Sequence, residues 1–309
     1  MNPPAAPTSH RTKVIAAFSA VYILWGSTYL AIRIGVTTLP PFLMAGGRFL
    51  IAGGLLYIWL RLRGEPAPTR PQWKNAAIIG TLLLFGGNGM VSWAEQTVPS
   101  SLAALIVAAA PIWFAVFEWL RPHGRRPTLP TVLGLFVGFS GVILLVVNSS
   151  GHSSGPAVIS LAGILALVVA CISWAGGSIF SKYHTPSFHS LWMTTAAQML
   201  CGGTANLTVS LLRGEWFTFK SGQVSASSLL AFLYLLIFGS LIGYGAYVWL
   251  LKHCAPTRVA TYAYVNPVIA VLLGWLVLHE PLTPMIGFAA AIILTGVLLV
   301  QWPNKNQSK

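Results

Sequence analysis

The sequence predicts an all-α integral membrane protein of ten transmembrane helices, arranged as two inverted five-helix repeats. Three observations carry that fold class: a composition too apolar for water, ten apolar stretches of spanning length, and self-resemblance at an offset of about 150 residues. Of 309 residues, 55% are hydrophobic and 7% charged, where a soluble domain carries about 25% charged residues. Mean hydropathy is +0.73, so lipid has to solvate most of the chain. The three cysteines, Cys171, Cys201 and Cys254, lie scattered in apolar runs without CxxC spacing, and neither a disulfide framework nor a metal or cofactor site follows from them.

Crossing a hydrocarbon core about 30 Å thick takes about 20 apolar residues in a helix. In chain order, the candidate spans are 14–34, 41–61, 73–93, 101–120, 129–148, 157–181, 188–212, 226–251, 257–278 and 283–301. The first is too long for the apolar region of a signal peptide, and Arg33 and the second span follow it at once, so it reads as a retained helix. The longest connections, 62–72 and 213–225, leave no room for an extramembrane domain. Lys and Arg accumulate on the cytoplasmic side. With both termini inside, fourteen of the 18 basic residues fall on cytoplasmic segments, only Arg33, Arg213 and Lys220 fall outside, and Arg48 sits within a span. A net charge of +13 thus records topology; its spread over separate loops argues against a nucleic-acid partner.

The repeat is visible in ordered matches. Trp25 in the first span corresponds to Trp174 in the sixth, and Arg63-Gly64-Glu65 recurs as Arg213-Gly214-Glu215. Gly87-x-Gly89-x3-Trp93 is echoed by Gly243-x-Gly245-x3-Trp249, Pro99 and Pro111 by Pro256 and Pro267, and Ser140-Gly141-Val142 by Thr295-Gly296-Val297. Residues 14–148 form the first repeat and 157–301 the second. Five spans per repeat is an odd number, so the second copy enters the membrane from the opposite side. Such halves can exchange conformations about an axis in the membrane plane and expose a central site to each side in turn, which predicts alternating-access transport. A duplicated, non-transporting scaffold or receptor is the alternative class.

The Leu24-Trp25-Gly26-Ser27-Thr28-Tyr29 run, Arg48-Phe49, Val98-Pro99-Ser100 and Tyr264-Val265-Asn266-Pro267-Val268 resemble the EamA-type carriers of the drug/metabolite transporter superfamily, and within it the YedA-like branch of bacterial inner-membrane proteins. The resemblance covers about Val14 to Val300. It implies ten helices in two inverted repeats, a multi-pass protein of the bacterial inner membrane, efflux of amino acids or other small metabolites, and a cavity lined mainly by spans one, three, four, six, eight and nine. One departure stands out: the family often places Gly-Glu after the fourth and ninth spans, whereas here Glu280 follows His279 and the first-half position reads His123-Gly124.

Candidate site residues come from helix breaks and polar stripes. Pro111 and Pro267 are repeat partners deep in spans four and nine. Proline lacks an N–H and clashes with the carbonyl four residues back, which frees the carbonyls of Val107 and Ala263 for a ligand or a neighbouring helix. Groups that need partners face a cavity or another helix rather than acyl chains. Helical spacing aligns Trp25, Thr28 and Tyr29; Asn88, Ser92 and Glu95; Trp174, Ser178 and Ser181; Ser240, Tyr244 and Tyr247; and Tyr262 with Asn266. From these, Trp25, Asn88, Trp174, Tyr244, Tyr262 and Asn266 are the expected substrate-binding wall, suited to a small amphipathic solute. Arg48, deep in span two, either neutralises an anionic group of the substrate or ties its helix to carbonyls of a neighbouring helix end. Glu95 and Glu280 fall near outer span ends, and Glu118 beside Arg121, where a solvated salt bridge is the plainer account; with no carboxylate at mid-span the sequence offers no obvious proton carrier, and coupling to protons, to exchange or to nothing stays open.

Enzyme readings fare poorly on the same residues. Gly138-Phe139-Ser140-Gly141 matches the GxSG of intramembrane serine proteases, but the required activating histidine is missing from the spans. Diphosphate chemistry through magnesium needs clustered acids, and the chain has no aspartate.

Overall fold

The computed structural model describes residues 8–121, 128–151, 160–184, 190–254, 259–280 and 282–300. Its main helices are α1 (Thr8–Gly35), α2 (Pro41–Leu62), α3 (Arg70–Ala94), α4 (Ser100–Leu120), α5 (Leu129–Gly151), α6 (Leu161–His184), α7 (Leu191–Leu212), α8 (Ala226–His253), α9 (Tyr262–Leu278) and α10 (Pro284–Val300). One helical turn, Glu215–Thr218, follows α7, and there is no strand among the described residues. Within α1, α2, α3, α4, α6 and α8 lie six stretches long and apolar enough to cross a membrane, and α5, α9 and α10 hold shorter apolar helices. α7 matches the six in length but carries Gln198, Asn206 and Ser210, all buried. The expected span ends Ala157, Phe188, Thr257 and Gln301 lie outside the described residues.

Local chemistry sets the ends. α2 starts at Pro41, where the missing N–H of proline is harmless. It stops at Gly64, whose φ of 82° is left-handed, and α7 stops in the same way at Gly214, φ 73°. These are the glycines of the two Arg-Gly-Glu triplets, so the recurring sequence is a recurring cap.

Three helices depart from regular winding. α3 is π-helical over Thr81–Gly89 and α8 over Leu235–Tyr244, which leaves carbonyls and glycine surfaces available to neighbours. α4 is interrupted at Ala108 and Ala109, and Pro111 lies in the first turn of its continuation. Pro267, its counterpart in the sequence matches, behaves differently: α9 runs unbroken through it, correcting the expectation of a break there. One missing hydrogen bond inside a helix held on its flanks is tolerated without fracture. A turn at Ala260 and Thr261 separates α9 from Val259, which is itself helical, within the expected ninth span.

α2 lies along α7 and α5 along α10, while α1 packs against α8 and α9, and α6 against α3 and α4. Leu55, Phe136, Leu230 and Leu276 stay exposed on the periphery, as an apolar solvent permits. Polar groups point inward: Arg48, Glu95, Gln198, Ser178 and Ser240 are all fully buried.

Candidate substrate cavity

The π-helical segments bring bare backbone against two tryptophans. A Cβ on Gly87 of α3 would come within 2.7 Å of the Trp174 ring from α6, and one on Gly243 of α8 within 2.6 Å of Trp25 Nε1 from α1. Only glycine lets each indole lie this close. The indoles then meet edge to face at 5.3 Å, Tyr262 joins Trp25 edge to face at 5.5 Å, and Tyr247 touches Trp25 at 4.9 Å and Trp174 at 5.2 Å. Such ring pairs contribute about 0.5–1.5 kcal/mol each beyond burial. The cluster is a rigid aromatic wall.

That wall bounds a cavity of ≈70 Å³, room for roughly five to seven waters. Trp25, Asn88, Trp174, Tyr244, Tyr262 and Asn266, the six residues expected to bind substrate, all lie on it together with Arg48. Pro111 and Pro267 do not, nor do Ser92, Ser178, Ser240 and Tyr247 from the polar stripes. Ser92 and Ser240 bond to their own helices, on Asn88 O and Leu235 O, while Ser178 bonds to Trp174 O and to the Tyr247 hydroxyl at 2.7 Å. The Val107 carbonyl also borders the break in α4, where the Cys171 thiol approaches it at 4.0 Å. Thr28 and Tyr29, from the stripe of Trp25, also line it, as do Gly87 and Gly239. Ile32, Phe49, Val91, Val107 and Ala170 complete the lining; as apolar residues among apolar residues they carry no sequence signal.

Three of the polar wall residues are held from behind. Tyr244 donates its hydroxyl to Gln198 Oε1 at 2.7 Å, and Trp25 Nε1 donates to the Gly239 carbonyl of the α8 π-segment at 3.3 Å. In the amide orientation that satisfies its neighbours, Asn266 donates to the carbonyls of Tyr262 and Tyr22 at 3.3 and 3.1 Å. Gln198 was missed in the sequence, although a glutamine between Ala197 and Met199 in an apolar run marks it.

Arg48 is 1% exposed. Its Nη2 donates to Asn88 Oδ1 at 2.8 Å, its guanidinium lies 4.5 Å over the Phe49 ring, and its Nε has no partner. No carboxylate lies within ion-pair distance of it among the described residues. The arrangement is a buried, oriented cation facing an aromatic chamber.

The ends of the bundle are tied by charge. Arg33 of α1 donates to the Glu95 carbonyl at the end of α3, and Lys182 of α6 donates to Leu251 O and Cys254 O at the end of α8, at 2.9 and 3.4 Å. Glu280, after α9, receives Ser100 N–H, Ser100 Oγ–H and Ser101 N–H at 2.8, 2.8 and 3.0 Å, and so caps the start of α4. Glu118 pairs with Arg121 at 2.7 Å in a partly solvated bridge and accepts from Tyr183 at 3.2 Å. Glu215 accepts the Leu43 N–H at 2.9 Å, and burial raises its carboxyl above the ordinary value. In the GxSG segment, Ser140 donates to Val137 O of its own helix and Gly138 packs on Gly296, so those glycines serve helix contact.

A bundle of apolar helices around an aromatic chamber with one buried cation defines a polytopic membrane protein of the transporter class. The chain belongs to the EamA-like transporter family, whose model matches residues 12–147 and 161–302. It is 41% identical to the uncharacterized inner membrane transporter YedA of Escherichia coli (strain K12), over 93% of this chain and 90% of that protein. The uncharacterized transporter YvbV of Bacillus subtilis (strain 168) is 28% identical over 96% and 93%, and a probable amino-acid metabolite efflux pump of Escherichia coli (strain K12) is 24% identical over 90% and 91%. A solved crystal structure of a chain 21% identical shares the fold with a TM-score of 0.64, covering 94% of this chain and 97% of that one.

Proposed function

We propose that this transporter is a multi-pass carrier of the bacterial inner membrane that moves a small organic solute outward by alternating access. The solute class is an amino acid, another metabolite or an amphipathic drug. The observation that carries this reading is the convergence of Trp25, Asn88, Trp174, Tyr244, Tyr262 and Asn266, from five helices of both halves, on one chamber. Aromatic faces shape the solute and the amides orient it. Arg48 receives its anionic group, since a guanidinium buried with one hydrogen bond and no carboxylate gains most from an anion that enters the cavity.

The proposed frame is ten spans in two inverted repeats, 14–148 and 157–301, with both termini cytoplasmic. The family match falls once on each half. Packing supports the same frame: where α1 meets α8 and α9, α6 meets α3 and α4, so the halves exchange corresponding partners. The paired π-segments, the tryptophan on glycine in each half, and the cations Arg33 and Lys182 agree with it. Pro111, at the break in α4, gives the first half a point of bending beside the cavity, while Pro267 weakens α9 without breaking it. Efflux, by a carrier rather than an enzyme, is supported by the similarity to the probable amino-acid metabolite efflux pump.

The test is flux in liposomes holding the purified protein, screened across amino acids and amphipathic drugs, with Asn266→Ala as the variant. Flux of at least one solute that falls in the variant is the expected result. Unchanged flux in the variant for every transported solute removes Asn266 from the site, and absence of flux for all solutes leaves the scaffold or receptor class.

A further inference from the structure

Glu95 stands apart from the cavity wall. It follows α3 on the face that carries Asn88 and Ser92, about 10 Å along the axis from Asn88 at 1.5 Å per residue. Its side chain is 0% exposed, and neither carboxyl oxygen has a hydrogen-bond partner. An ionised carboxylate in that position would be far more costly than a neutral one.

The charged and titratable groups that act on it come from three other parts of the bundle: Arg33 and Tyr29 of α1, Arg48 of α2, and Glu280 after α9. Arg33 bonds to the Glu95 backbone carbonyl and leaves the carboxyl unbonded. Burial, then the negative charge of Glu280, push the carboxyl well above the ordinary carboxylate range, outweighing the opposite pull of Arg33 and Arg48.

The other half of the molecule indicates what the carboxyl is not for. In the repeat offset, Arg33 corresponds to Lys182 and Glu95 to Leu251, and Lys182 donates to the Leu251 carbonyl as Arg33 does to the Glu95 carbonyl. The backbone tie therefore works with leucine. The acid on the α3 side is surplus to it.

We propose that Glu95 is a proton-binding site of the carrier, protonated while the α1–α3 end is sealed and ionised when those helices part and admit water. On opening, the carboxyl O–H bond breaks, the proton passes to water, and Arg33 turns from the carbonyl to pair with the carboxylate. Each cycle that moves solute then moves a proton. The coupling rests on the transport reading above; the protonation itself does not.

Two measurements on the full chain separate the two claims. Infrared difference spectra of the wild type minus Glu95→Gln in lipid nanodiscs, titrated in pH, read the carbonyl stretch of a protonated carboxyl. The expected result is a protonated band that persists at neutral pH in the wild type alone; no such band overturns the proposal. Gln keeps the shape of a neutral Glu, and Glu95→Leu, the residue of the other half, is the second variant should Gln fold poorly. Liposomes with trapped pyranine are then challenged with an equimolar mixture of the twenty amino acids. The wild type is expected to shift lumenal pH in step with solute flux, while Glu95→Gln still exchanges solute with no pH shift. Solute flux without a pH shift in the wild type refutes the coupling and leaves transport intact. A persistent band with no flux of any probe supports the proton site and counts against the transport reading.

Discussion

Gly80→Ala puts the packing behind the cavity to the test. Gly80 of α3 faces α7, and a Cβ there would lie 2.3 Å from the Gln198 carbonyl oxygen and 2.9 Å from Gly202 N. Both neighbours are backbone, so no flexible side chain can yield. Ordinary contact begins near 3.4 Å, so α3 and α7 must separate by about 1 Å, an overpacking that costs about 1–3 kcal/mol. The strain reaches the cavity through one residue, because Gln198 also accepts the Tyr244 hydroxyl at 2.7 Å. A shift of about 1 Å carries that bond past hydrogen-bonding range and forfeits about 1 kcal/mol of wall rigidity. In detergent, thermal unfolding of Gly80→Ala is expected several degrees below wild type, with solute flux in liposomes down several-fold. Adding Gly202→Ala, whose Cβ would lie 2.5 Å from the Gly80 carbonyl, should cost less than it does alone, since the helices are already apart. A single variant that unfolds at the wild-type midpoint would refute the close contact on which this reasoning depends.

Arg48→Met should lower flux of carboxylate-bearing solutes about 10- to 100-fold, the equivalent of a charged hydrogen bond at about 1.5–3 kcal/mol, while uptake of uncharged analogues stays within about twofold; equal loss for both would make Arg48 structural. Glu280→Gln removes the ionic acceptor of three donors at the start of α4 and is expected to cost about 1–2 kcal/mol, read as a lower unfolding midpoint; an unchanged midpoint would dismiss the cap. Because the native Glu95 carboxyl is raised above its unfolded value, the unfolded chain loses its proton first. Stability is therefore full below the ordinary carboxylate range and declines as pH rises toward the native value. Unfolding midpoints across pH should show that decline in the wild type and a flatter profile in Glu95→Gln; parallel profiles would contradict the assignment.

Much of the molecule is legible in the chain. Lipid is the only solvent that tolerates its composition, and apolar length alone delimits the long helices, because backbone polar groups in hydrocarbon must be satisfied within each segment. The cavity wall was legible too, through hydroxyl, amide and indole groups at helical spacing in otherwise apolar runs: Trp25, Asn88, Trp174, Tyr244, Tyr262 and Asn266 come together as their stripes require. Proline was a weaker guide. Pro111 and Pro267 look alike in sequence, yet Pro111 sits in the first turn after the break in α4 whereas α9 runs through Pro267, since whether a lost hydrogen bond fractures a helix depends on what holds its flanks.

Other features belong to the tertiary structure alone. No periodicity announces that α3 and α8 widen into π-helix, that Gly87 and Gly243 make room for indoles from distant spans, or that Gln198 holds Tyr244. Nor could position near a span end foretell that Glu95 is sealed from water while Glu118 is not. Sequence determines which side chains resist lipid, since that depends on each group's own hydration; what those side chains meet depends on how separate helices cross, and that is decided only when they pack.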